Sequence, residues 1–199
     1  MNEVQIHAGH AVLSGNLTIP DNAVGLVLFA HGSGSSRHSP RNQFVARTLN
    51  DAGLATLLFD LLTPEEEAID TYTREHRFNI GLLAERLVHA TKRAKQQEQT
   101  RNLRVGYFGS STGGAAALVA AAEISQDVGA VISRGGRPDL AGDALPKVRA
   151  PTLLIVGGND DIVIELNEMA RDAVVCHFEE EARPKIIRLH FVREEVIAA

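Results

Sequence analysis

The segment Gly109-Ser110-Ser111-Thr112-Gly113 has the residue types and spacing of a nucleophilic turn. It follows the strand-like run 103–108 and precedes the small-residue run 114–118, an order that predicts strand, sharp turn and helix. In such a turn the central residue takes a strained conformation that lifts its hydroxyl above the sheet, and the flanking glycines leave room for neighbouring backbone. We therefore predict that Ser111 is a nucleophile. An ordinary flexible turn is the alternative, because Gly and Ser are common residues.

An acid is expected beyond the strand predicted at 152–156. Asp160 and Asp161 follow that run, and ligands of a parallel sheet bind beyond the carboxyl ends of its strands. A carboxylate there holds a histidine in the correct tautomer and stabilises the imidazolium that forms during attack. We predict Asp160 in this role, with Asp161 as the alternative. The competing interpretations are a turn-forming residue for Asp160 and a helix N-cap for Asp161.

A general base completes the predicted site, since a serine hydroxyl is a weak nucleophile without one. His190 directly follows the predicted last strand, 185–189, and the chain order Ser111, Asp160, His190 is the order in which sites of this kind carry their triad. His177, which precedes that strand, is the alternative base. We predict that Ser111 attacks a carbonyl carbon while His190 takes the hydroxyl proton.

A glycine-rich loop after the apolar run 24–30 supplies the predicted oxyanion hole. The sequence His31-Gly32-Ser33-Gly34 lets backbone amides turn inward, and acyl transfer needs two amides aimed at the developing oxyanion. We predict the N–H groups of Ser33 and Thr112 in this role. A phosphate-binding loop and a flexible turn are the alternatives, although no Gly-Lys-Ser/Thr sequence follows. His31 is predicted to shape the loop through hydrogen bonds rather than to act as a base.

Arginines near two strand ends predict an anionic group on the substrate. Arg134 and Arg137 follow the apolar run 128–132, and Arg37 and Arg41 follow the glycine-rich loop. Guanidinium groups bind carboxylates in bidentate geometry, so Arg134, Arg137 and Arg37 are predicted substrate contacts. Solvated arginines, or ion pairs with nearby aspartates, are the alternative.

Strand and helix patterns alternate along the chain and predict how these groups are positioned. Apolar runs are typical of strands buried on both faces of a parallel sheet, and apolar spacings of three and four residues are typical of helices. Strands are predicted at 4–7, 11–19, 24–30, 54–59, 103–108, 128–133, 152–156 and 185–189, and helices at 40–52, 73–95, after Ser111, and at 164–173. An acidic loop is predicted at 64–67, and Phe78 is predicted on a buried helix face. The alternation predicts an α/β fold with helices on both sheet faces.

The composition is that of an ordinary globular protein. The 199 residues are 44% hydrophobic and 23% charged, with 20 basic and 25 acidic residues and a net charge of −5. We find no dense Lys/Arg stripe, no signal sequence, and no apolar run near the roughly 18 residues that span a bilayer. The single cysteine, Cys176, excludes an internal disulfide. We therefore expect one cytoplasmic domain over residues 1–199, with neither nucleic acid nor membrane as a partner. No long insertion precedes Thr152, so no lid domain is expected, and no metal site is predicted.

The motifs resemble those of the α/β-hydrolase superfamily, and most closely those of dienelactone-hydrolase-like small serine hydrolases. The resemblance is carried by His31-Gly32-Ser33-Gly34, by Gly109-Ser110-Ser111-Thr112-Gly113, by Gly158-Asn159-Asp160 with Val163, and by His190. It implies an eight-stranded, mostly parallel sheet, a Ser-His-Asp triad and no cofactor. It also implies hydrolysis of small carboxylic esters or lactones through an acyl-enzyme.

The sequence departs from that pattern in two places. Ser111 stands where the best-known dienelactone hydrolases carry cysteine, so dienelactone itself is not implied as the substrate. Only residues 191–199 follow His190, which predicts a shortened or missing C-terminal helix and an apolar sheet surface that a homodimer would cover. Two other functions stay open: a hydrolase-fold protein that binds a ligand or partner without turnover, and an acyltransferase that uses the same triad.

Overall fold

An eight-stranded sheet forms the centre of the computed structural model, which describes residues 2–175 and 187–192. The strand order is β1-β2-β4-β3-β5-β6-β7-β8. Strand β2 is antiparallel to β1 and β4, and the strands from β4 to β8 are parallel to one another. The predicted eight-stranded, mostly parallel sheet is therefore confirmed. The strands are β1 (Asn2–Ala8), β2 (Ala11–Thr18), β3 (Gly25–Ala30), β4 (Ala55–Phe59), β5 (Arg104–Ser110), β6 (Val128–Arg134), β7 (Thr152–Gly157) and β8 (Ile187–Val192).

Helices cover both faces of this sheet, as predicted. Alternate residues of a strand point to opposite faces, and in β3 Leu26 and Leu28 belong to one core cluster while Phe29 belongs to another. The first cluster includes residues of α3, α4 and α5, and the second is covered by α1. The helices are α1 (Pro40–Asp51), α2 (Pro64–Thr73), α3 (Ile80–Gln96), α4 (Thr112–Glu123) and α5 (Asp161–Val175).

The central strands are buried because helices pack on both of their sides. All five residues of β4 are buried, which accounts for its mostly apolar sequence; its one polar residue, Thr56, is hydrogen-bonded to Asn50. Strands β1 and β2 form the predicted hairpin, and Gly9 takes a positive φ of 61° at its turn. The sheet therefore positions the ends of β3, β5, β6 and β7 along one edge, where the predicted site residues follow.

The acidic stretch 64–67, predicted as a loop, is the first turn of α2. Thr63 Oγ1 accepts the Glu66 N–H at 3.2 Å, and Glu66 Oε2 accepts the Thr63 N–H at 2.8 Å, which together form a capping box. Acidic side chains in a first helical turn are stabilised by the positive end of the helix dipole. The loop prediction was therefore wrong, because the acidic residues mark a helix start.

The next helix begins later than predicted. Asn79 caps α3, which starts at Ile80 rather than near residue 73. Phe78 lies before the helix and is 57% exposed, so its predicted burial was wrong. The loop between α2 and α3, residues 74–79, occupies the positions that the prediction gave to the first turns of a longer helix.

The second half of the chain contains one unpredicted element and one shifted strand. A segment of 3-10 helical turns, Pro138–Lys147, follows β6 and is interrupted at Gly142. The last strand spans Ile187–Val192 instead of 185–189, so His190 lies inside β8. His177 and the predicted shortened C-terminal helix lie outside the described residues. Among the described helices, none is long and apolar enough to cross a membrane.

Candidate active site

Ser111 lies on a sharp turn between β5 and α4. Its backbone angles are φ 51° and ψ −126°, outside the regions that residues with a Cβ ordinarily occupy. Such a conformation costs about 1–3 kcal/mol and persists only where the surrounding structure enforces it. The backbone strain therefore falls on the residue that the sequence predicts as the nucleophile.

Two glycines make this turn sterically feasible. A Cβ on Gly109 would lie 2.5 Å from the carbonyl oxygen of Gly113, and a Cβ on Gly113 would lie 2.1 Å from the carbonyl oxygen of Ala30. Both neighbours are backbone atoms, so no side chain can move aside to relieve the contact. The glycines on either side of Ser111 are thus required by the close approach of α4 to the ends of β3 and β5.

Backbone hydrogen bonds hold the carbonyl of Ser111 from two sides. It accepts the N–H of Gly114 at 3.0 Å and the N–H of Arg137 at 3.1 Å. Gly114 belongs to α4, and Arg137 belongs to the loop after β6. In that loop the Gly136 carbonyl accepts a hydrogen bond from Nδ2 of Asn167 at 3.2 Å. Helix α5 therefore supports the loop that holds the nucleophile turn.

The glycine-rich loop contacts the nucleophile turn through Ser33. Its Oγ lies 3.1 Å from Thr112 Oγ1, and it also donates a hydrogen bond to the Arg77 carbonyl at 3.5 Å. Thr112 is the first residue of α4, so its N–H has no acceptor within the helix. The structure brings Ser33 and Thr112 together beside Ser111, and the use of their amides as an oxyanion hole stays a prediction.

The α2–α3 loop that contacts Ser33 is fixed by a buried carboxylate. Asp70 accepts hydrogen bonds from the amides of His76 at 2.7 Å and Arg77 at 3.0 Å, and from Nε of Arg77 at 2.5 Å. Burial by itself raises the pKa of Asp70, but the hydrogen bonds from Arg77 and His76 outweigh it and lower that pKa overall. Asp70 is therefore a structural anion that positions the loop behind Ser33.

His31 shapes the glycine-rich loop and is not free to act as a base. Its Nδ1 lies 3.0 Å from the Gly32 carbonyl oxygen, and its Nε2 accepts the Leu61 N–H at 3.0 Å. Burial lowers the pKa of this imidazole, although the Gly32 hydrogen bond and the charges of Asp60 and Glu67 act in the opposite direction. Both ring nitrogens are engaged by backbone groups, in agreement with the predicted structural role.

Asp160 lies just beyond the end of β7 and is exposed. Its Oδ1 accepts the Val163 N–H at 3.2 Å, so it caps α5, the role that the sequence suggested for its neighbour. Asp161 is instead the first residue of that helix and is exposed. The cap orients the Asp160 carboxylate at the same sheet edge as Ser111, and its role as the acid stays a prediction.

His190 pairs with Ile155 of β7, and its side chain is exposed. The register continues through Arg134 to Ser110, so His190 shares a row of the sheet with the residue before the nucleophile. Three strand spacings of about 4.8 Å separate the ends of this row, a Cα separation of about 14 Å. No hydrogen bond within the described residues joins His190 to Ser111, and its role as the base stays a prediction.

Two of the three predicted substrate arginines form ion pairs. Arg137 donates from Nε and Nη2 to the two carboxylate oxygens of Asp139, at 2.8 and 2.7 Å. Arg37 pairs through its guanidinium with Asp60 and also contacts Glu3 at 3.4 Å. These pairs match the alternative that the sequence left open for both arginines.

Arg134 has a different environment. Its Nε is buried and has no hydrogen-bond partner among the described residues. Burial lowers the pKa of its guanidinium, and the positive charge of Arg41 lowers it further. The Nε atom of Arg37 is also buried without a partner, but the Arg37 guanidinium pairs with Asp60. Of the three predicted arginines, Arg134 is thus the one that forms no ion pair with a carboxylate within residues 2–175 and 187–192.

The match of the chain to a known protein family is independent of this geometry. The profile of the dienelactone hydrolase family matches residues 13–177. The chain belongs to the dienelactone hydrolase family. This confirms the resemblance indicated by the glycine-rich loop and the nucleophile turn, and it makes the chain a member of a hydrolase family.

The relatives of this dienelactone hydrolase family member include one long protein and several solved structures. A Mycobacterium tuberculosis protein named "Putative phosphoribosyl transferase" is 58% identical over 172 residues, which cover 86% of this chain and 38% of that protein. The chain thus spans less than two fifths of the length of the curated relatives that it matches. A dienelactone hydrolase from Anabaena variabilis shares 57% identity at a TM-score of 0.90, covering 97% of this chain and 85% of that one. Est1E from Butyrivibrio proteoclasticus, 16% identical at a TM-score of 0.75 over 98% and 89% of the two chains, shares the fold.

Asn167 is a residue of this family member that sequence analysis missed. It is fully buried on α5, and Nδ2 donates to the Val163 carbonyl at 2.7 Å as well as to Gly136. Ala170 and Val174 are buried on the same helix at spacings of three and four residues. An asparagine on the buried face of an amphipathic helix was the available signal, because a buried amide needs hydrogen-bond partners.

Proposed function

We propose that this protein is a serine hydrolase that cleaves small carboxylic esters or lactones through an acyl-enzyme on Ser111. The observation that carries the proposal is the backbone of Ser111, with φ 51° at a turn whose glycines leave no room for a side chain. A turn without a chemical role has no need for a serine in so unfavourable a conformation. Membership of a hydrolase family supports the same conclusion.

In the proposed mechanism the Ser111 hydroxyl oxygen attacks the substrate carbonyl carbon while a histidine takes the hydroxyl proton. We propose His190 as that histidine and Asp160 as the acid that orients it and stabilises the imidazolium. The carbonyl oxygen becomes an oxyanion, which accepts hydrogen bonds from the N–H groups of Ser33 and Thr112. The carbon–oxygen bond to the alcohol then breaks, and the alcohol takes the proton from the imidazolium.

Water completes the proposed reaction on the acyl-enzyme. The same histidine accepts a proton from the water as its oxygen attacks the acyl carbon, and the oxyanion forms again at Ser33 and Thr112. The bond to Ser111 then breaks, and the serine oxygen recovers its proton from the imidazolium. The products are the free acid and the enzyme in its starting state.

A fluorophosphonate probe and a short-chain model ester test the nucleophile. We expect stoichiometric labelling of the wild-type protein at Ser111 and about a 10⁶-fold loss of ester hydrolysis in Ser111→Ala. Ser110→Ala is the matched control, because it removes the adjacent hydroxyl from ordinary strand backbone, and it should still be labelled. Labelling that persists in Ser111→Ala, or a wild-type protein that is neither labelled nor active, overturns the proposal.

The base needs a separate test. Three strand spacings separate His190 from Ser110, the residue before the nucleophile, which corresponds to a Cα separation of about 14 Å. We expect His190→Ala to lower the rate of Ser111 labelling, whereas His177→Ala leaves it near that of the wild type. The reverse result transfers the role of base to His177. Oxyanion-hole donors alone support about 10²–10³-fold effects, so the relative rates of the two variants decide the assignment rather than residual activity.

The position of His190 also favours a second candidate function, a hydrolase-fold protein that binds a ligand without turnover. An exposed imidazole with no hydrogen bond to the nucleophile among the described residues is what such a protein would show. The same probe separates the two functions. Labelling with turnover supports the enzyme, and a folded protein that is not labelled supports the binding protein.

A further inference from the structure

A cavity of about 530 Å³ lies beside the glycine-rich loop. Its walls come from the loop, from the residues after β4 and from the start of α2. Glu67 and Leu62 line this cavity and also line a small neighbouring pocket that contains Ser33 and Thr112. A substrate whose carbonyl lies at Ser33 and Thr112 would therefore extend past Glu67 into the cavity.

The lining presents hydrogen-bond donors on a rigid backbone. Three of its hydroxyl oxygens already accept a backbone N–H, so each keeps its own proton to donate to a ligand. The pairs are Ser36 Oγ with His38 N at 3.2 Å, Ser39 Oγ with Asn42 N at 3.4 Å, and Thr63 Oγ1 with Glu66 N at 3.2 Å. Because two of these hydroxyls cap α1 and α2, their positions are fixed before any ligand binds.

Glu67 supplies the cavity lining with a negatively charged hydrogen-bond acceptor. Its half-buried carboxylate makes no ion pair or hydrogen bond with the rest of the described chain. The other acid in the lining, Asp60, is paired with Arg37. The lining therefore carries one uncompensated negative charge, which disfavours carboxylate and phosphate groups and favours donors.

We propose that this cavity binds a neutral, polyhydroxylated part of the substrate, such as a sugar ring. Each hydroxyl of a sugar both donates and accepts, so neighbouring hydroxyls donate to Glu67 and accept from Ser36, Ser39 and Thr63. A cavity of about 530 Å³ is within the range of small-molecule sites. The inference rests on the proposed function for the reaction itself, and it assigns the hydroxylated substrate part to the β3–β4 side of Ser111.

Titration with methyl β-glucoside, followed by NMR of the full chain, tests the site directly. We expect binding to the wild-type protein that is about tenfold weaker in Glu67→Gln, because a charge-assisted hydrogen bond becomes a neutral one. Glu65→Gln, the same change at an exposed position of α2, should bind as the wild type does. Ser36→Ala is a second variant with an expected loss of several-fold.

Two further ligands test the chemistry of recognition. Cyclohexanol has a ring without the additional hydroxyls, and glucuronate has the sugar hydroxyls with an added carboxylate. Both should bind at least about tenfold more weakly than the glucoside. Absence of glucoside binding to the wild type, unchanged binding in Glu67→Gln, or tighter binding of glucuronate than of the glucoside overturns the proposal.

Labelling of Ser111 by the fluorophosphonate distinguishes failure of this proposal from failure of the hydrolase proposal. Labelling without glucoside binding refutes the sugar site and leaves the hydrolase intact. Glucoside binding that depends on Glu67, in a protein that is not labelled, supports the site and refutes the hydrolase.

Discussion

Replacing Gly113 with alanine tests the packing of the nucleophile turn. The added Cβ would lie 2.1 Å from the Ala30 carbonyl oxygen and 2.6 Å from the His31 carbonyl oxygen. Real Cβ atoms essentially never approach within 3.0 Å of such neighbours. Helix α4 must therefore move away from the end of β3 by about 1 Å, since a close-packed interior offers no other space.

Two opposing effects set the magnitude. Overpacking of a core costs about 1–3 kcal/mol, whereas alanine gains about 1 kcal/mol over glycine in a helix. Both crowded neighbours are backbone atoms, so we expect the cost to dominate and the free energy of unfolding to fall by about 2 kcal/mol. A displacement of about 1 Å between Thr112 and Ser33 should also lower the Ser111 labelling rate about 100-fold.

Urea unfolding of Gly113→Ala and of Gly81→Ala measures the effect against a matched control. Gly81 lies in the first turn of α3, where a Cβ would have only the Asn79 Oδ1 atom nearby, at 3.6 Å. The same substitution should therefore stabilise the protein there by up to about 1 kcal/mol. A Gly113→Ala protein that is as stable as the wild type refutes the packing described for the turn.

Three other predictions follow from buried and partly buried charges. The folded-state pKa of His31 lies below its ordinary 6.5, so the unfolded state takes up the proton at a higher pH and the free energy of unfolding falls as the pH decreases below about 6.5. In urea unfolding at pH 7 and pH 5, His31→Gln should show a smaller loss of stability at pH 5 than the wild type. An equal loss in the two proteins contradicts this prediction. Asp70→Asn should lower the free energy of unfolding by about 3 kcal/mol because the Arg77 guanidinium loses its buried partner, and a change under about 0.5 kcal/mol counts against that. Arg134→Ala should raise KM for a carboxylate-bearing ester more than for its neutral analogue, and equal effects would exclude an anion-binding role.

The sheet and the nucleophile turn were predictable because their signals are local. The mostly apolar sequences of β3 and β4 reflect burial on both faces. The glycines around Ser111 reflect backbone contacts within a few residues of the turn or at the end of the neighbouring strand. Because the strands were predicted to be parallel, the chain segments that follow them were also expected to meet at one edge of the sheet. The family resemblance that rested on these segments was confirmed by the match over residues 13–177.

Other features depend on partners that are distant in sequence or that have two interpretations. The acidic run 64–67 fits both a solvated loop and a helix start, and the reciprocal hydrogen bonds of Thr63 and Glu66 decide between them. Asn167 acquires its role only when Gly136, 31 residues away in the chain, lies beside it. Arg137 likewise fits a substrate contact and an ion pair until the position of Asp139 is known.

Helix α5 carries Asp160 at its beginning and Asn167 two turns later, and Asn167 holds the loop whose Arg137 amide binds the Ser111 carbonyl. Any rigid-body displacement of this helix therefore moves the carboxylate and the support of the serine in concert. Small movements of α5 therefore change the distance between the two groups little. A histidine on β8 lies on a different element, so its distance from Ser111 depends on how β8 and α5 move relative to each other.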